Sequence, residues 1–347
     1  MNLDNKFPTF PKDCNSLLSK YLTKEVFELL KERKTNNGFS LQDVIKSGVE
    51  NSYSGIGVYA GDAMSYHTFA ELFNPIIKEY HGFGVDDRHQ SNLNPHDLDA
   101  PNLDPDGEFI LSTRIRVGRN IDSLPLGTAI SKEDRDHVEE VVSNALNALK
   151  GDLAGTYYPL SGMSESVSKQ LIDDHFLFKA GDRFLESAGL NRHWSAGRGI
   201  YHNDNKTFLV WINEEDQLRI ISMQSGGDIK EVFTRLTTAI SEIEKSIKFS
   251  YDEHLGYITS CPTNLGTAMR ASVHIKLPKL GADMERFKAI TNRHHLQIRG
   301  IDGEHSKSKG NIYDISNKRR LGVTEVQCVQ DMVDGVRELI EVEKGVN

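Results

Sequence analysis

Several arginines lie on segments with the composition of β-strands, although the chain carries a formal net charge of -9. Arg114 and Arg116 are two residues apart in the apolar segment 109–117, and side chains at that spacing on a strand project from the same face. Two parallel guanidinium groups repel each other and resist burial, so we expect an anionic group against them. A strand that faces solvent is the alternative for this segment taken alone.

The same residue types recur in other strand-like segments. Arg270 and His274 share one face of a predicted strand, and Arg219 interrupts an otherwise apolar strand. Arg299 precedes a loop that contains glycine. Because the planar guanidinium group matches phosphate oxygens better than an ammonium group does, this repetition predicts a site for a small polyanion.

Glycine-rich phosphate loops do not explain such a site. The chain has no Gly-x-x-x-x-Gly-Lys-Ser/Thr sequence, which excludes a P-loop. Residues 55–60 match a relaxed dinucleotide-binding motif, but they follow the polar run 50–53 where that fold needs an apolar strand. If a nucleotide binds, arginine side chains must hold its phosphates.

Carboxylates and a cysteine complement these cations. Glu214, Glu215 and Asp216 follow an apolar strand, and Glu304 lies in a polar segment near the C-terminus. Such carboxylates can orient an amine or guanidinium group and accept its proton, or they can lie in solvated turns. Cys261, in a turn with proline and glycine, is either a small buried hydrophobic residue or a thiolate stabilised by nearby cations. No Cys-x-x-Cys or His-Glu-x-x-His sequence is present, so we propose no protein-held metal site.

The pattern of apolar residues predicts two unequal domains. Residues 1–90 are predicted to be all helical, with a capping box that begins at Ser40, and the Asn-, Asp- and Pro-rich residues 91–107 are predicted to be a linker. In residues 108–347, strands, a hairpin over 207–223 and separate helices mix without a βαβ rhythm. This mixture favours an α+β domain with an antiparallel sheet.

Composition narrows the class of protein. A length of 347 residues exceeds what one core usually serves, and no apolar run is long enough for a membrane helix. Three scattered cysteines are an odd number, which favours a reducing compartment. An isoelectric point near 5.8 disfavours nucleic-acid binding. We therefore expect a cytoplasmic enzyme with neither membrane nor nucleic acid as a partner.

Five segments together resemble the phosphagen kinases (ATP:guanidino phosphotransferases), most closely those that act on arginine. The most specific is Cys-Pro-Thr-Asn-Leu-Gly-Thr at residues 261–267. The others are residues 112–116, 170–178, 213–216 and 313–322. The resemblance covers nearly the whole chain.

This resemblance implies a fold and a reaction. The fold is a small all-helical N-terminal domain followed by a larger domain with an eight-stranded antiparallel sheet flanked by helices. The reaction is reversible, Mg²⁺-dependent transfer of the γ-phosphoryl group of ATP to the guanidino nitrogen of L-arginine. Phosphoryl transfer requires mainly alignment and charge neutralisation, which the residues above could supply. The resemblance favours a monomer over a dimer.

The resemblance also implies a role for each candidate residue. Glu215, as the base, and Glu304 hold the guanidinium group, Cys261 faces it as a thiolate, and the metal is held by phosphates and water. Substrate specificity is assigned to the short loop Ser54, Gly55, Ile56, Gly57 and Tyr59, with Tyr80 and Thr263 of the arginine type. The expected nucleotide-binding residues are Ser112, Arg114, Arg116, His175, Arg219, Arg270, His274, Arg299 and Glu304.

Three departures from the family pattern remain. Gln217 stands where a histidine is usual. Tyr53 replaces an aspartate that can pair with the arginine at the position of Arg183, so that link should be absent. Lys307 and Lys309 stand where many relatives carry acids.

Three other functions remain open. One is a kinase for taurocyamine or lombricine, and another is a catalytically silent nucleotide sensor on the same scaffold. The third is a protein-arginine kinase of the bacterial type, which would lack the helical residues 1–90.

Overall fold

Short helices form the N-terminal part of the protein, whose computed structural model describes residues 6–300 and 310–345. Ser40 begins the third helix with the predicted capping box: its side chain accepts the Asp43 N–H, and the Asp43 carboxylate accepts the Ser40 N–H. The helices are α1 (Leu17–Tyr21), α2 (Lys24–Leu30), α3 (Leu41–Glu50), α4 (Ser65–Thr68) and α5 (Ala70–His81).

An eight-stranded, fully antiparallel sheet forms the centre of the remaining described chain. Its order is β2-β3-β4-β5-β1-β8-β10-β9, and a separate hairpin contains β6 and β7. The predicted hairpin over 207–223 is confirmed as β4 and β5. The strands are β1 (Ile110–Arg119), β2 (Gly155–Pro159), β3 (Gly199–Asn203), β4 (Phe208–Ile212), β5 (Leu218–Ser225), β6 (Tyr251–Asp252), β7 (Gly256–Tyr257), β8 (Met269–Lys276), β9 (Leu296–Arg299) and β10 (Ile312–Asn317).

Helices cover one face of this sheet. Ile115, Val117 and Val273 point from that face into an apolar core that includes residues of α6, α9, α11 and α12. Burial of that face is what fixes the strand register, because a shift by one residue would expose every one of these side chains. The helices of this part of the chain, of which α7 and α8 do not contribute to that core, are α6 (Lys132–Asn147), α7 (Glu165–Asp173), α8 (Arg183–Ser187), α9 (Ile229–Glu244), α10 (Pro278–Ala282), α11 (Met284–Arg293) and α12 (Glu325–Lys344).

A second apolar core joins the N-terminal helices to the sheet-containing part. It contains Leu18 and Leu72 from the helices together with Leu255 and Leu265. The α+β class, with a helical N-terminal part and an eight-stranded sheet, is confirmed. The domain boundaries at 1–90, 91–107 and 108–347 stay a prediction.

None of the helices within residues 6–300 and 310–345 combines the length and the apolar content needed to cross a bilayer.

Candidate active site

Antiparallel pairing places the predicted cationic residues on the sheet face opposite α6, α9, α11 and α12. Arg116 lies directly across from Arg270, and Gly118 lies across from Arg219. Residues directly opposite each other in neighbouring strands share a face, and the alternation of side chains extends that face along each strand. We call this set the cationic face; it comprises Ser112, Arg114, Arg116, Arg219, Arg270, His274, Arg299 and Asp314.

Two arginines of the cationic face have no carboxylate partner within the described residues. Neither Arg114 nor Arg116 forms an ion pair there, and Arg114 instead lies over the Trp211 ring, 5.3 Å from its centroid. Burial, followed by the charge of Arg270, lowers the pKa of Arg114 to about 10. Burial also lowers the pKa of Arg116 well below its ordinary value. Within the described protein, the charges of Arg114 and Arg116 are therefore only partly offset, by carboxylates that form no ion pair with them.

Two buried hydrogen-bond donors on the cationic face lack acceptors in the described structure, which bears on whether this face suits a phosphate group. The Nε atoms of Arg114 and Arg270 are buried and have no hydrogen-bond partner in the described structure. Buried donors without acceptors are costly, and a phosphate oxygen supplies both the acceptor and the missing negative charge. The residues present thus fit a polyphosphate ligand.

Asp314, on β10, contacts two cationic side chains of the neighbouring strand β8. Its Oδ2 lies 2.8 Å from Nη2 of Arg270 and 3.6 Å from Nε2 of His274. Burial alone would raise the pKa of Asp314, but His274 and Arg270 hold that pKa below its usual value. Asp314 therefore fixes two of the predicted nucleotide-binding side chains.

Arg219 is surrounded by the three acids of residues 214–216. Its Nη1 lies 2.9 Å from Glu214, its Nη2 bonds Glu215, and its Nε lies 3.4 Å from Asp216. Although burial opposes the charge on Arg219, the three carboxylates raise its pKa. Burial raises the pKa of Asp216 to about 6. Arg219 therefore ties the candidate base, Glu215, to the edge of the cationic face.

Cys261 lies in the turn that faces Glu215. Its Sγ is 3.1 Å from Oγ1 of Thr263, and Nδ2 of Asn264 donates to Oε1 of Glu215 at 3.0 Å. Burial, and next the charge of Glu215, raises the pKa of Cys261 to about 12. In the protein alone, the apolar surroundings and the nearby carboxylate outweigh the hydrogen bonds from Thr263 and favour the neutral thiol. The thiolate expected beside a guanidinium group stays a prediction.

The N-terminal loop approaches the same turn. The Gly57 N–H donates to Oγ of Ser54 at 3.0 Å, and the N–H groups of Leu17 and Leu18 donate to the Gly55 and Ile56 carbonyls at 2.9 and 3.0 Å. Gly57 has φ +80°, and a Cβ there would lie 2.8 Å from the Leu18 side chain. Only glycine meets both conditions without strain.

Tyr59 connects this loop with the acids and the thiol. Its ring is buried, and its pKa is raised first by burial and then by the charges at Cys261 and Glu215. The next residue, Ala60, donates its N–H to the Ser260 carbonyl at 2.7 Å. The predicted specificity loop, Cys261 and Glu215 therefore meet in one place.

Two predicted residues lie apart from this cluster or outside the described structure. His175 is exposed in the turn after α7 with φ +61°, and no hydrogen bond or ion pair links it to the cationic face in the part of the chain that is described. The neighbouring Phe176 carbonyl accepts the Trp211 Nε1–H at 2.7 Å, which holds this turn over the same sheet face. Glu304 lies outside the described residues, as do Lys307 and Lys309.

The structure explains how the chain accommodates Gln217. This side chain is buried; its Oε1 accepts the Ile121 N–H at 2.7 Å and its Nε2 donates to the Pro125 carbonyl at 2.9 Å. Asn120 accepts the Gln217 N–H at 2.9 Å and donates to Asp216 at 3.1 Å. Gln217 therefore links the loop of acids 214–216 to residues 120–125 through hydrogen bonds, without adding a side chain that titrates.

The second departure, Tyr53 with its missing link to Arg183, agrees with the structure. Tyr53 is 77% exposed, and Arg183 lies over the Phe184 ring at 4.9 Å without an ion pair to any described residue. Helices α3 and α8 are instead joined by Ser47 Oγ, which donates to the Phe184 carbonyl at 2.8 Å.

Sequence reasoning missed Asn120, Asn264, Asp314 and Arg320 as contributors to the site. Asn264, Asp314 and Arg320 lie inside segments that carried the family resemblance, but only their contacts reveal which groups they hold. Asn120 had no such signal.

Comparison with known proteins adds to this geometry. Residues 137–346 match the ATP:guanido phosphotransferase C-terminal catalytic domain, and residues 12–78 match the N-terminal domain of the same family. The chain belongs to the ATP:guanido phosphotransferase family. This guanido phosphotransferase is 58% identical over 334 residues to the protein named arginine kinase Met e 2 of Metapenaeus ensis, covering 96% of this chain and 93% of that one.

Two solved structures are similar to this guanido phosphotransferase. A lombricine kinase has a TM-score of 0.93 and 39% identity, with 99% of this chain and 95% of that chain covered. The duplicated taurocyamine kinase from Schistosoma mansoni, with bound transition-state analogue components, has a TM-score of 0.90 and 43% identity. That match covers 96% of this chain and 47% of the duplicated one.

Proposed function

We propose that this guanido phosphotransferase is an arginine kinase, which transfers the γ-phosphoryl group of ATP reversibly to a guanidino nitrogen of L-arginine. Its products are phosphoarginine and ADP, and its role is to buffer ATP. The observation that carries the proposal is the meeting of Glu215, Cys261 and the loop around Gly57 beside an under-neutralised cationic face. Relatives that bear the name arginine kinase, at 58% identity, support the choice of acceptor.

The cationic face is proposed to align and neutralise the triphosphate. Arg114 and Arg116, which lack carboxylate partners in the described chain, have charge available for phosphate oxygens. Arg219 and Arg270 are already oriented by acids, so a nucleotide meets prearranged side chains. Such preorganisation lowers the cost of charge rearrangement in the transition state. The full proposed set is Ser112, Arg114, Arg116, His175, Arg219, Arg270, His274, Arg299 and Glu304.

The acceptor is proposed to lie between the acids and the thiol. Glu215 and Glu304 hold the guanidinium group, and Glu215 accepts the proton that leaves the nitrogen as its bond to phosphorus forms and the bond from phosphorus to the ADP oxygen breaks. Beside a guanidinium cation, the pKa of Cys261 would fall. Ser54, Gly55, Ile56, Gly57 and Tyr59 would receive the carboxylate end of arginine.

Magnesium is proposed to reach the site with the nucleotide. Within residues 6–300 and 310–345, no group of three or more His, Cys, Asp or Glu side chains is placed to hold a metal ion. Mg²⁺ commonly binds through substrate phosphates and water. The bound ion would add to the charge neutralisation that the arginines provide.

The setting of the enzyme is also proposed. All three cysteines are free, and a cytoplasmic location would keep them reduced. We propose a monomer, with ATP or ADP and arginine as its only partners, and domains at residues 1–90 and 108–347 joined by 91–107.

A lombricine or taurocyamine acceptor is the second candidate. The similarity of the fold to a lombricine kinase, with a TM-score of 0.93, favours considering it. Lombricine ends in a phosphodiester-linked group and taurocyamine in a sulfonate, so both would require other anion contacts near residues 54–59.

Comparing turnover on arginine, taurocyamine, lombricine and creatine tests the proposal. The purified full chain is assayed with MgATP, and ADP release is followed with and without each acceptor. We expect arginine to give the highest kcat/KM. If arginine gives no phosphorylated product while another acceptor does, the substrate is wrong, and if no acceptor does, the sensor alternative gains support.

A further inference from the structure

The turn that carries Cys261 is held by groups from two distant parts of the chain. His81, at the end of α5, bonds the Pro262 carbonyl through Nε2 at 2.8 Å. The next two residues are held by Arg320, which lies between β10 and α12. All three residues of the turn 262–264 are thus held, one by His81 and two by Arg320.

Arg320 contacts this turn through both its backbone and its side chain. Its carbonyl accepts the Thr267 N–H at 3.0 Å. Its Nη1 donates to the Thr263 carbonyl at 2.9 Å and to Oδ1 of Asn264 at 2.6 Å. A Cβ at Gly266 would lie 2.4 Å from the Arg320 carbonyl, so the two segments are in direct backbone contact.

The guanidinium group determines which way the Asn264 amide points. Arginine has only donors, so the atom of Asn264 that faces Arg320 must be its oxygen. The NH₂ group then faces the opposite direction, where it donates to Oε1 of Glu215 at 3.0 Å. The reversed amide would place an NH₂ group against a guanidinium group and a carbonyl oxygen against a carboxylate, which is repulsive at both ends.

Asn264 therefore completes the restraint of the Glu215 carboxylate. Oε2 bonds Arg219 and Oε1 bonds Asn264. A carboxylate with a fixed donor on each oxygen has a defined direction, which a base needs in order to meet the proton it accepts. Other titratable or charged groups around Glu215 are Glu214, Asp216, Cys261 and Tyr59.

We propose that Arg320 is a positioning residue that orients the Asn264 amide and, through it, the carboxylate of Glu215. The inference rests on the proposed function, because it assigns Arg320 and Asn264 to the alignment of the same base. Arg320 itself touches no substrate in this proposal.

A double-mutant cycle in the full chain tests the relay. The variants are Arg320→Met, Asn264→Ala and the two combined, with kcat and KM measured on the best acceptor found for the wild type. We expect each single change to lower kcat about 10- to 100-fold, with KM for ATP within about twofold, since small misplacements of a reacting group cost that much. The combined change should lower kcat little beyond Asn264→Ala alone, because the two residues act in series.

Arg319→Met is the matched control. Arg319 is adjacent in sequence but pairs with Asp331 at 2.7 and 3.0 Å, so its removal should leave kcat within about twofold. Equal losses in Arg319→Met and Arg320→Met would overturn the proposal. So would a loss in the combined variant that equals the product of the two single losses.

Asn264→Asp provides a readout that a purely structural role would not change. It places a second carboxylate beside Glu215, and two close carboxylates resist being ionised together. The acid limb of the kcat–pH profile should therefore move to higher pH, and a profile that superimposes on that of the wild type contradicts the relay.

A spectroscopic measurement separates this proposal from the choice of substrate. In protein labelled with ¹⁵N-asparagine, the side-chain amide signal of Asn264, assigned by its loss in Asn264→Ala, should shift in Arg320→Met and in Glu215→Gln. It should stay unchanged in Arg319→Met. Absence of a shift in the first two variants overturns the relay even if the wild type phosphorylates arginine, whereas a shift supports it even if arginine is the wrong acceptor.

Discussion

Replacing Arg114 with methionine should stabilise the ligand-free protein and weaken nucleotide binding. Arg114 is held on the cationic face without a carboxylate partner among the described residues, so the folded state carries the cost of its charge. Methionine keeps much of the apolar stem and removes that charge. Substituting unneutralised buried charges with apolar groups is often stabilising.

The expected gain follows from the acidity of the guanidinium group. Its pKa falls from 12.5 to about 10, and a tenfold change in acidity corresponds to about 1.4 kcal/mol, which gives about 3 kcal/mol for holding the charge. Partial contact with solvent reduces this figure, and the cation–π contact with Trp211 is lost at a cost of about 0.5–1 kcal/mol. We therefore expect the free energy of unfolding to rise by about 1–2 kcal/mol.

Arg270→Met is the matched comparison on the neighbouring strand. It leaves Asp314 without the guanidinium that lies 2.8 Å away, so we expect a loss of about 2–3 kcal/mol. Urea unfolding followed by tryptophan fluorescence measures both changes, because Trp211 packs beneath Arg114. Addition of MgADP should raise the urea midpoint of the wild type more than that of either variant. If the two substitutions shift ligand-free stability in the same direction, the interpretation of Arg114 as an incompletely neutralised charge is wrong.

Four further predictions follow. Glu215→Gln should reduce kcat at least about 100-fold with an almost unchanged melting temperature, as expected for loss of a positioned base; near-normal turnover would exclude Glu215 as the base. Iodoacetamide at pH 8 should label Cys14 before Cys261, as followed by mass spectrometry. Hydrogen bonds from Ser16 overcome burial and lower the pKa of Cys14, whereas burial raises the pKa of Cys261 to about 12. Labelling of Cys261 first would contradict these two pKa shifts. Burial, followed by the charge of Arg119, lowers the pKa of His89 from 6.5 to about 4, so the contribution of His89 to stability is complete above pH 6.5 and is lost as the pH falls through 4. In urea unfolding at several pH values, the free energy of unfolding of His89→Gln should therefore decline less steeply towards acid pH than that of the wild type. An unchanged slope would refute this prediction. X-ray scattering should show a smaller radius of gyration with MgADP, nitrate and arginine together, since the loop and the cationic face come from different parts of the chain; superimposable curves would contradict closure.

Local sequence patterns were sufficient to predict the elements that build the site. The alternation of side chains placed Arg114 and Arg116 on one face, and turn residues located the hairpin that presents Glu215. Ser40 and its N3 partner predicted the start of a helix because capping depends on residues only three apart. These features were predictable because each is decided within a few residues.

Contacts between distant segments were not predictable in the same way. Nothing in the local sequence shows that Arg219 forms ion pairs with three acids, or that Asp314 forms one with Arg270. The raised pKa of Cys261 in the protein alone could not be predicted from neighbouring residues in the sequence, because desolvation depends on everything that surrounds the sulfur. Arg320 lies within the segment 313–322 that carries the family resemblance, but only the packing of that segment against the turn 262–264 reveals its partners.

The way the N-terminal loop is attached has an evolutionary consequence. The Gly55 and Ile56 carbonyls of this loop accept two N–H groups at the start of α1, whereas the arginines proposed to bind phosphate lie in the hydrogen-bonded strands β5, β1 and β8. Insertions or deletions around residue 55 would therefore change the proposed binding site for the far end of the acceptor without disturbing the strand pairing. A scaffold divided in this manner can diversify its choice of acceptor while its phosphate chemistry remains constant.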